Sequence, residues 1–145
     1  MMRSFTFPVK LHAESKGAFT VQFRDLPEAV TSGTSRRDAI LQAADCLEEA
    51  IAGRISDGLE IPQPSRPTRA EVLITLPAAL AAKAALYIAI KEAGMPNTQA
   101  AKRLGVNEKE IRRMLDPRHA TQLARIQRAL ALLGRRLVVT VEHAA

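Results

Sequence analysis

Residues 97–115 read NTQAAKRLGVNEKEIRRML, and this stretch sets the architecture of the second half of the chain. The spacing of its apolar residues predicts two short helices, over residues 97–104 and 108–115. Gly105 between them can adopt the positive φ that a tight turn requires, and Asn107 is placed to cap the second helix with its side-chain oxygen. The stretch is therefore predicted to fold as a pair of helices joined by a short turn.

The outward face of this pair is predicted to be basic. The residues expected to point inward are small or apolar, and they are Ala100, Ala101, Leu104, Val106, Ile111 and Met114. Long cationic side chains on the second helix can then reach phosphates, and Arg can make bidentate contacts to guanine. The candidate DNA-contacting residues are Asn97, Thr98, Asn107, Glu108, Lys109, Arg112, Arg113 and Arg118. The pattern resembles the helix-turn-helix of phage-repressor-like regulators, and the alternative is an ordinary helical hairpin with a solvated charged face.

The charge of the chain is concentrated in its second half. Residues 1–69 contain nine Lys or Arg and nine Asp or Glu, whereas residues 70–145 contain twelve basic and six acidic residues. The formal net charge of +6 therefore belongs to the second part of the chain. Such a distribution favours nucleic acid as a partner through counterion release, although a solvated cationic surface would have the same composition.

Composition argues against several other classes of protein. Cys46 is the only cysteine, so no internal disulfide can form, and no CxxC spacing indicates a metal site. The most apolar stretch, residues 78–90, is interrupted by Lys83, and no signal-peptide pattern precedes the first strand. We therefore expect a cytoplasmic protein with no membrane span, no metal and no cofactor.

The beginning of the chain has the pattern of a small β-sheet. Apolar residues alternate over residues 5–11 and 19–23, and the turn-forming residues 15–17 lie between them, so these two strands should form a hairpin. Pro8 predicts an edge position for the first strand, because proline cannot donate to a ladder. A third, short strand is expected at residues 29–32.

A helix should follow these strands, because the apolar period changes to three and four residues after Ser35. Ser35 is placed to cap this helix and Gly58 to end it. After the proline-rich residues 62–68, the alternating residues 71–76 predict one more strand. The fold class is therefore α+β, with a βββαβ domain over residues 1–77.

The remainder, residues 78–145, is predicted to be an all-α domain with a terminal strand. Helices are expected over residues 78–93 and 121–133, on either side of the helical pair, and the β-branched run Leu137–Val141 indicates a strand. This last strand could pair with its counterpart in a second copy of the chain or within its own chain.

Residues 17–51 are similar to the N-terminal domain of the HicB family, through a strand that ends near Asp25-Leu26-Pro27, a short strand that ends at Gly33, and a capped helix. This resemblance implies an antitoxin whose N-terminal domain has a partial RNase H-like fold. It would neutralise a HicA-type, mRNA-cleaving toxin by binding and occluding it, and would repress its own operon as a homodimer or homotetramer. The resemblance does not locate the toxin-binding residues.

Two other functions are compatible with parts of the pattern. A free-standing helix-turn-helix repressor would use the first domain only to oligomerise or to sense a ligand. A metal-dependent nuclease would need converging carboxylates, but Glu14, Asp25 and Glu28 are expected in turns. We therefore predict that the chain has no catalytic residues and is not an enzyme.

Overall fold

The computed structural model describes residues 2–144, which form an α+β protein with four strands and five α-helices. The chain divides into two compact units after Ala81. Sequence patterning places the domain boundary after residue 77, slightly before this division. Among residues 2–144, no helix is both long and apolar enough to cross a membrane.

The first unit contains one antiparallel sheet and one long helix. Its elements are β1 (Thr6–Ala13), β2 (Phe19–Phe23), β3 (Val30–Gly33), α1 (Arg36–Ser56) and β4 (Glu71–Thr75). The strand order is β3-β2-β1-β4, with Val9 opposite Phe23 and Phe7 opposite Ile74. The predicted hairpin, third strand, helix and closing strand are confirmed.

One face of the sheet packs on α1 to form the core of the first unit. Phe7 and Val9 of β1 and Phe23 of β2 are fully buried. The buried residues of α1 recur every fourth position, and they are Ala39, Ala43, Leu47, Ile51 and Ile55. Ser35 caps this helix as predicted, since its hydroxyl accepts a hydrogen bond of 3.0 Å from the Asp38 amide.

The predicted edge position of the first strand is wrong, because β1 lies between β2 and β4. Pairing with β2 begins only at Val9, whereas pairing with β4 covers Thr6 to Lys10. Pro8 therefore lies where β1 extends past the end of β2 and has a ladder neighbour on one side only. An internal strand can accept proline at such a position, because the ladder on the other side has already ended.

The second unit is helical. Its helices are α2 (Ala78–Glu92, whose first turn belongs to the first unit), α3 (Asn97–Leu104), α4 (Glu108–Leu115) and α5 (Leu123–Leu132). Leu86, Ile111, Ile126 and Leu130 are at most 2% exposed and form its core. Helix α5 begins two residues later than predicted, with Gln122 at its N-cap.

The predicted terminal strand is not formed within the described chain. Leu137–Val141 has neither helix nor ladder, and Val139 and Val141 are 67% and 94% exposed. β-branched residues favour extended backbone, but a strand also needs a neighbour for its backbone N–H and C=O groups. No strand of residues 2–144 provides that neighbour, so pairing within one chain is ruled out here.

Candidate nucleic-acid interface

The turn between α3 and α4 has the geometry that its glycine predicts. Gly105 adopts the left-handed conformation with φ of 69°, and the Val106 amide donates to the Ala101 carbonyl at 3.0 Å. Together with the bond from the Gly105 amide to Lys102, this is a Schellman turn. The Asn107 side-chain oxygen accepts a 2.8 Å bond from the Glu110 amide and so starts α4, as predicted.

Small and apolar side chains fix the two helices against the rest of the unit. Ala100 and Ile111 are completely buried, and Ala101 and Met114 nearly so. Leu104 and Val106 are half-buried. The inward-facing set is thereby confirmed, and the opposite surface of α4 is left for polar residues.

That surface of α4 is cationic and open to solvent. Lys109, Arg112 and Arg113 are all exposed. Arg112 forms an ion pair of 2.8 Å with the half-buried Glu108, one turn earlier, and retains a side-chain exposure of 65%. An exposed pair of this type contributes about 0.5 kcal/mol or less, so a phosphate could displace the carboxylate at little cost.

The other acidic residue of α4 is also neutralised. Glu110 forms an ion pair with Arg125 of α5, and the Glu110 side chain is 21% exposed. Both carboxylates of α4 therefore face a guanidinium, and neither leaves an uncompensated negative charge beside the exposed cations. The arrangement makes this helix face attractive to a polyanion.

The remaining candidate residues lie at chain positions flanking α4. Asn97 and Thr98 are exposed in the first turn of α3, directly after Pro96. Arg118 is exposed in the loop after α4, where its backbone amide donates to the Asp116 carboxylate at 2.9 Å. Among the candidate residues, Glu108 and Arg112 contact each other directly. Asn97, Thr98 and Arg118 are not part of that ion pair.

Sequence patterning missed Lys83, which it treated only as an interruption of an apolar run. Lys83 is 4% exposed, and its ammonium group contacts the C-terminal end of α4. A signal was present, because Lys83 is the single charged residue between Ala78 and Ile90. A lone charge among apolar helix residues indicates a buried group with specific hydrogen-bond partners.

The carboxylates that a nuclease would need are engaged in contacts of their own. Asp25 accepts hydrogen bonds from the backbone amide and hydroxyl of Ser65. Glu28 receives two bonds from Arg54, at 2.6 and 2.9 Å, which lower the pKa of its carboxyl. Within residues 2–144, no group of three or more His, Cys, Asp or Glu side chains could hold a metal ion.

A third carboxylate, Glu71 of β4, anchors the end of the proline-rich loop. It accepts two hydrogen bonds from Arg24 and one from the Thr68 amide, and these hold the pKa of Glu71 at about 2. Arg24 also donates to the Arg66 carbonyl at 2.8 Å. These charges stabilise the fold of the first unit and do not converge on a reaction centre.

The sequence is similar to bacterial antitoxins over almost its whole length. Residues 6–85 match the family described as HicB_like antitoxin of bacterial toxin-antitoxin system. The chain is 35% identical to Antitoxin HicB 2 of Photorhabdus laumondii over 137 residues, which cover 94% of this chain and 96% of that protein. It is 32% identical to Antitoxin HicB of Escherichia coli strain K12 over 131 residues, 90% of this chain and 95% of that protein.

The matched family range contains the sheet, α1 and the beginning of α2, and the alignments with relatives extend through the helical unit. Fold and similarity together define the class: this is an antitoxin of a bacterial toxin-antitoxin system. The chain belongs to the HicB-like antitoxin family. The resemblance found in residues 17–51 is thereby confirmed.

Proposed function

We propose that this antitoxin neutralises a HicA-type, mRNA-cleaving toxin by binding it and occluding its RNA-binding and catalytic surface. The observation that carries the proposal is the family match over residues 6–85, which encompasses the whole sheet and α1. The βββαβ order of this unit is the order expected of a partial RNase H-like fold. Its Asp25 and Glu28 side chains are occupied by Ser65 and Arg54, which favours binding over catalysis.

The second proposed role is repression of its own operon, with α3 and α4 acting as a helix-turn-helix. This role is supported by the exposed cations of α4, which the Gly105 turn and the Asn107 cap present to solvent. In such a motif the second helix enters the major groove, and residues at the start of the first helix bind phosphates. We therefore assign base contacts to Arg112 and Arg113, and phosphate contacts to Asn97, Thr98 and Arg118.

Neutralisation is tested by co-expressing the full chain with the small open reading frame beside its gene. We expect the neighbouring product to arrest growth alone, and the chain to restore growth and to co-purify with that product. A chain that binds the DNA upstream of its gene but captures no neighbouring protein would instead be a free-standing repressor. Both proposed activities belong to the cytoplasm, where mRNA and operator are found.

We further propose that the chain acts as a homodimer or homotetramer, with Leu137–Val141 pairing across two copies. The run is β-branched, exposed and without a ladder neighbour in the described chain, so a second copy would satisfy its backbone groups. A dimer also suits a palindromic operator, because its two recognition helices are related by the same two-fold symmetry as the half-sites.

Replacing Val139 and Val141 with Asp is expected to reduce the particle mass by half, because charges close to their counterparts across the axis repel each other. Light scattering on the full chain measures this change. The control is Leu41→Asp, which places one such negative charge on a side chain that is 61% exposed on α1. An unchanged mass in the double variant would show that this segment does not form the interface.

A further inference from the structure

Lys83 is a buried cation whose hydrogen bonds are made to the end of α4 and to the loop that follows it. Its Nζ donates to the carbonyl oxygens of Arg113 and Met114 at 3.0 and 3.2 Å, and to Oγ1 of Thr121 at 2.8 Å. An ammonium group has three donors, so these acceptors use all of them. Burial lowers the pKa of the Lys83 ammonium, and the nearby Asp116 carboxylate acts in the opposite direction.

Two of these acceptors are carbonyl oxygens in the last turn of α4, where the Arg113 oxygen also accepts from the Asp116 amide at 3.2 Å. The last carbonyls of a helix lack intrahelical donors, and the helix dipole makes this end attractive to a cation. Thr121 also donates from Oγ1 to the Arg113 carbonyl at 3.4 Å, and it lies in the loop that carries Arg118. One ammonium group thus ties together the end of α4 and the loop that follows it.

We infer that Lys83 is a positioning residue for DNA recognition, which holds α4 and the following loop in the arrangement that presents Arg113 and Arg118. The inference rests on the proposed operator binding. Lys83 is 4% exposed and cannot itself reach a phosphate, so it would act through the backbone of α4. Without the ammonium group, the Met114 carbonyl would lose its bond to Lys83, and the Arg113 carbonyl would keep only the Asp116 amide and the Thr121 hydroxyl as donors. The last turn of α4 would then be held less firmly to the following loop.

The test compares Lys83→Met with Lys91→Met in the full chain. Both variants lose one positive charge from α2, but Lys91 is exposed and lies over the Tyr87 ring, 5.8 Å from its centre. Affinity is measured for a duplex from upstream of the gene and for a scrambled duplex, at a temperature where circular dichroism shows each variant folded. We expect Lys83→Met to reduce the ratio of the two affinities about tenfold, and Lys91→Met to change it less than about twofold.

The affinity ratio separates positioning from stability. A variant that is only less stable, once folded, retains the ratio, whereas a misplaced α4 loses operator contacts and keeps sequence-independent attraction. Thr121→Val removes one acceptor at nearly constant shape and provides a second variant if Lys83→Met does not fold. We expect it to lower the ratio in the same direction, and to be non-additive with Lys83→Met because both act in one network.

The outcomes distinguish the inference from the proposed function. One outcome is that the wild type prefers the upstream duplex while Lys83→Met and Thr121→Val both keep the wild-type affinity ratio. This result would overturn the inference and leave operator binding intact. Wild-type protein with no preference for the upstream duplex would overturn operator binding and the inference with it. Loss of discrimination in Lys83→Met and Thr121→Val, but not in Lys91→Met, supports both.

Discussion

Replacing Arg112 and Arg113 together with Ala is expected to weaken operator binding by about 2 to 6 kcal/mol, since each base-reading Arg contributes about 1 to 3 kcal/mol. Both side chains are exposed on α4, and Arg112 is held only by a surface pair with Glu108. Their removal should leave the helix itself intact, because its buried residues and its Asn107 cap are unchanged. Fluorescence anisotropy with a labelled upstream duplex measures the loss.

The matched control is the double replacement of Arg36 and Arg37 with Ala. These two exposed arginines are also adjacent on a helix, so the variant has the same net charge but an unchanged α4. We expect its binding free energy for the operator to weaken by less than about 1 kcal/mol, because only long-range electrostatic attraction is lost. Equal losses in both variants would mean that charge, rather than α4, determines binding.

Toxin capture should be unaffected in the Arg112/Arg113 variant, since we assign that activity to the first unit. Co-purification with the neighbouring toxin, performed on the same protein preparation, checks this expectation. If capture and operator binding were lost together, separate roles for the two units would be wrong. If operator affinity were retained, α4 would not be the recognition helix.

Gly33→Ala is expected to destabilise the first unit by about 3 kcal/mol or more, because the new methyl group would overlap the backbone of α1. A Cβ at this position would lie 2.3 Å from the Ala39 nitrogen and 2.5 Å from the Ala39 Cα. Backbone atoms in a capped helix cannot move aside as the end of a flexible side chain can. The strand β3 and α1 would have to separate, which would expose Ala39 and its neighbours.

Gly53→Ala is the control, because it makes the same chemical change inside α1 where a Cβ has nothing within 4 Å. This variant should be more stable by about 0.5 to 1 kcal/mol, since alanine loses less conformational entropy in a helix. Urea unfolding followed by circular dichroism measures both. A Gly33→Ala variant as stable as the wild type would contradict the close approach of β3 and α1.

Local chemistry was sufficient to predict the elements of the helical pair. Helices α3 and α4 begin and end at the predicted residues, because a left-handed Gly105 and the cap at Asn107 act within a few residues of the boundary. The start of α1 was predictable from Ser35 for the same reason. The family resemblance was likewise carried by short-range features, since it depends on the order of turns and caps in residues 17–51.

The predictions were wrong where the pairing of a strand depends on residues far away in the sequence. Pro8 predicted an edge strand, but the position of β1 depends on β4, which follows about 60 residues later in the chain and pairs with its other side. The run Leu137–Val141 has the composition of a strand and lacks a ladder in the described chain. Propensity expresses what a backbone favours, whereas a strand also requires a partner to complete its hydrogen bonds.

The sequence by itself determined the family, the βββαβ order, the helical pair and the basic character of α4, because periodicity, capping and charge are properties of neighbouring residues. Only the tertiary structure decided that Lys83 meets the carbonyls of Arg113 and Met114, and that Glu110 pairs with Arg125. Those contacts join residues from different helices, and their free energy depends on burial and on distances that no local pattern contains.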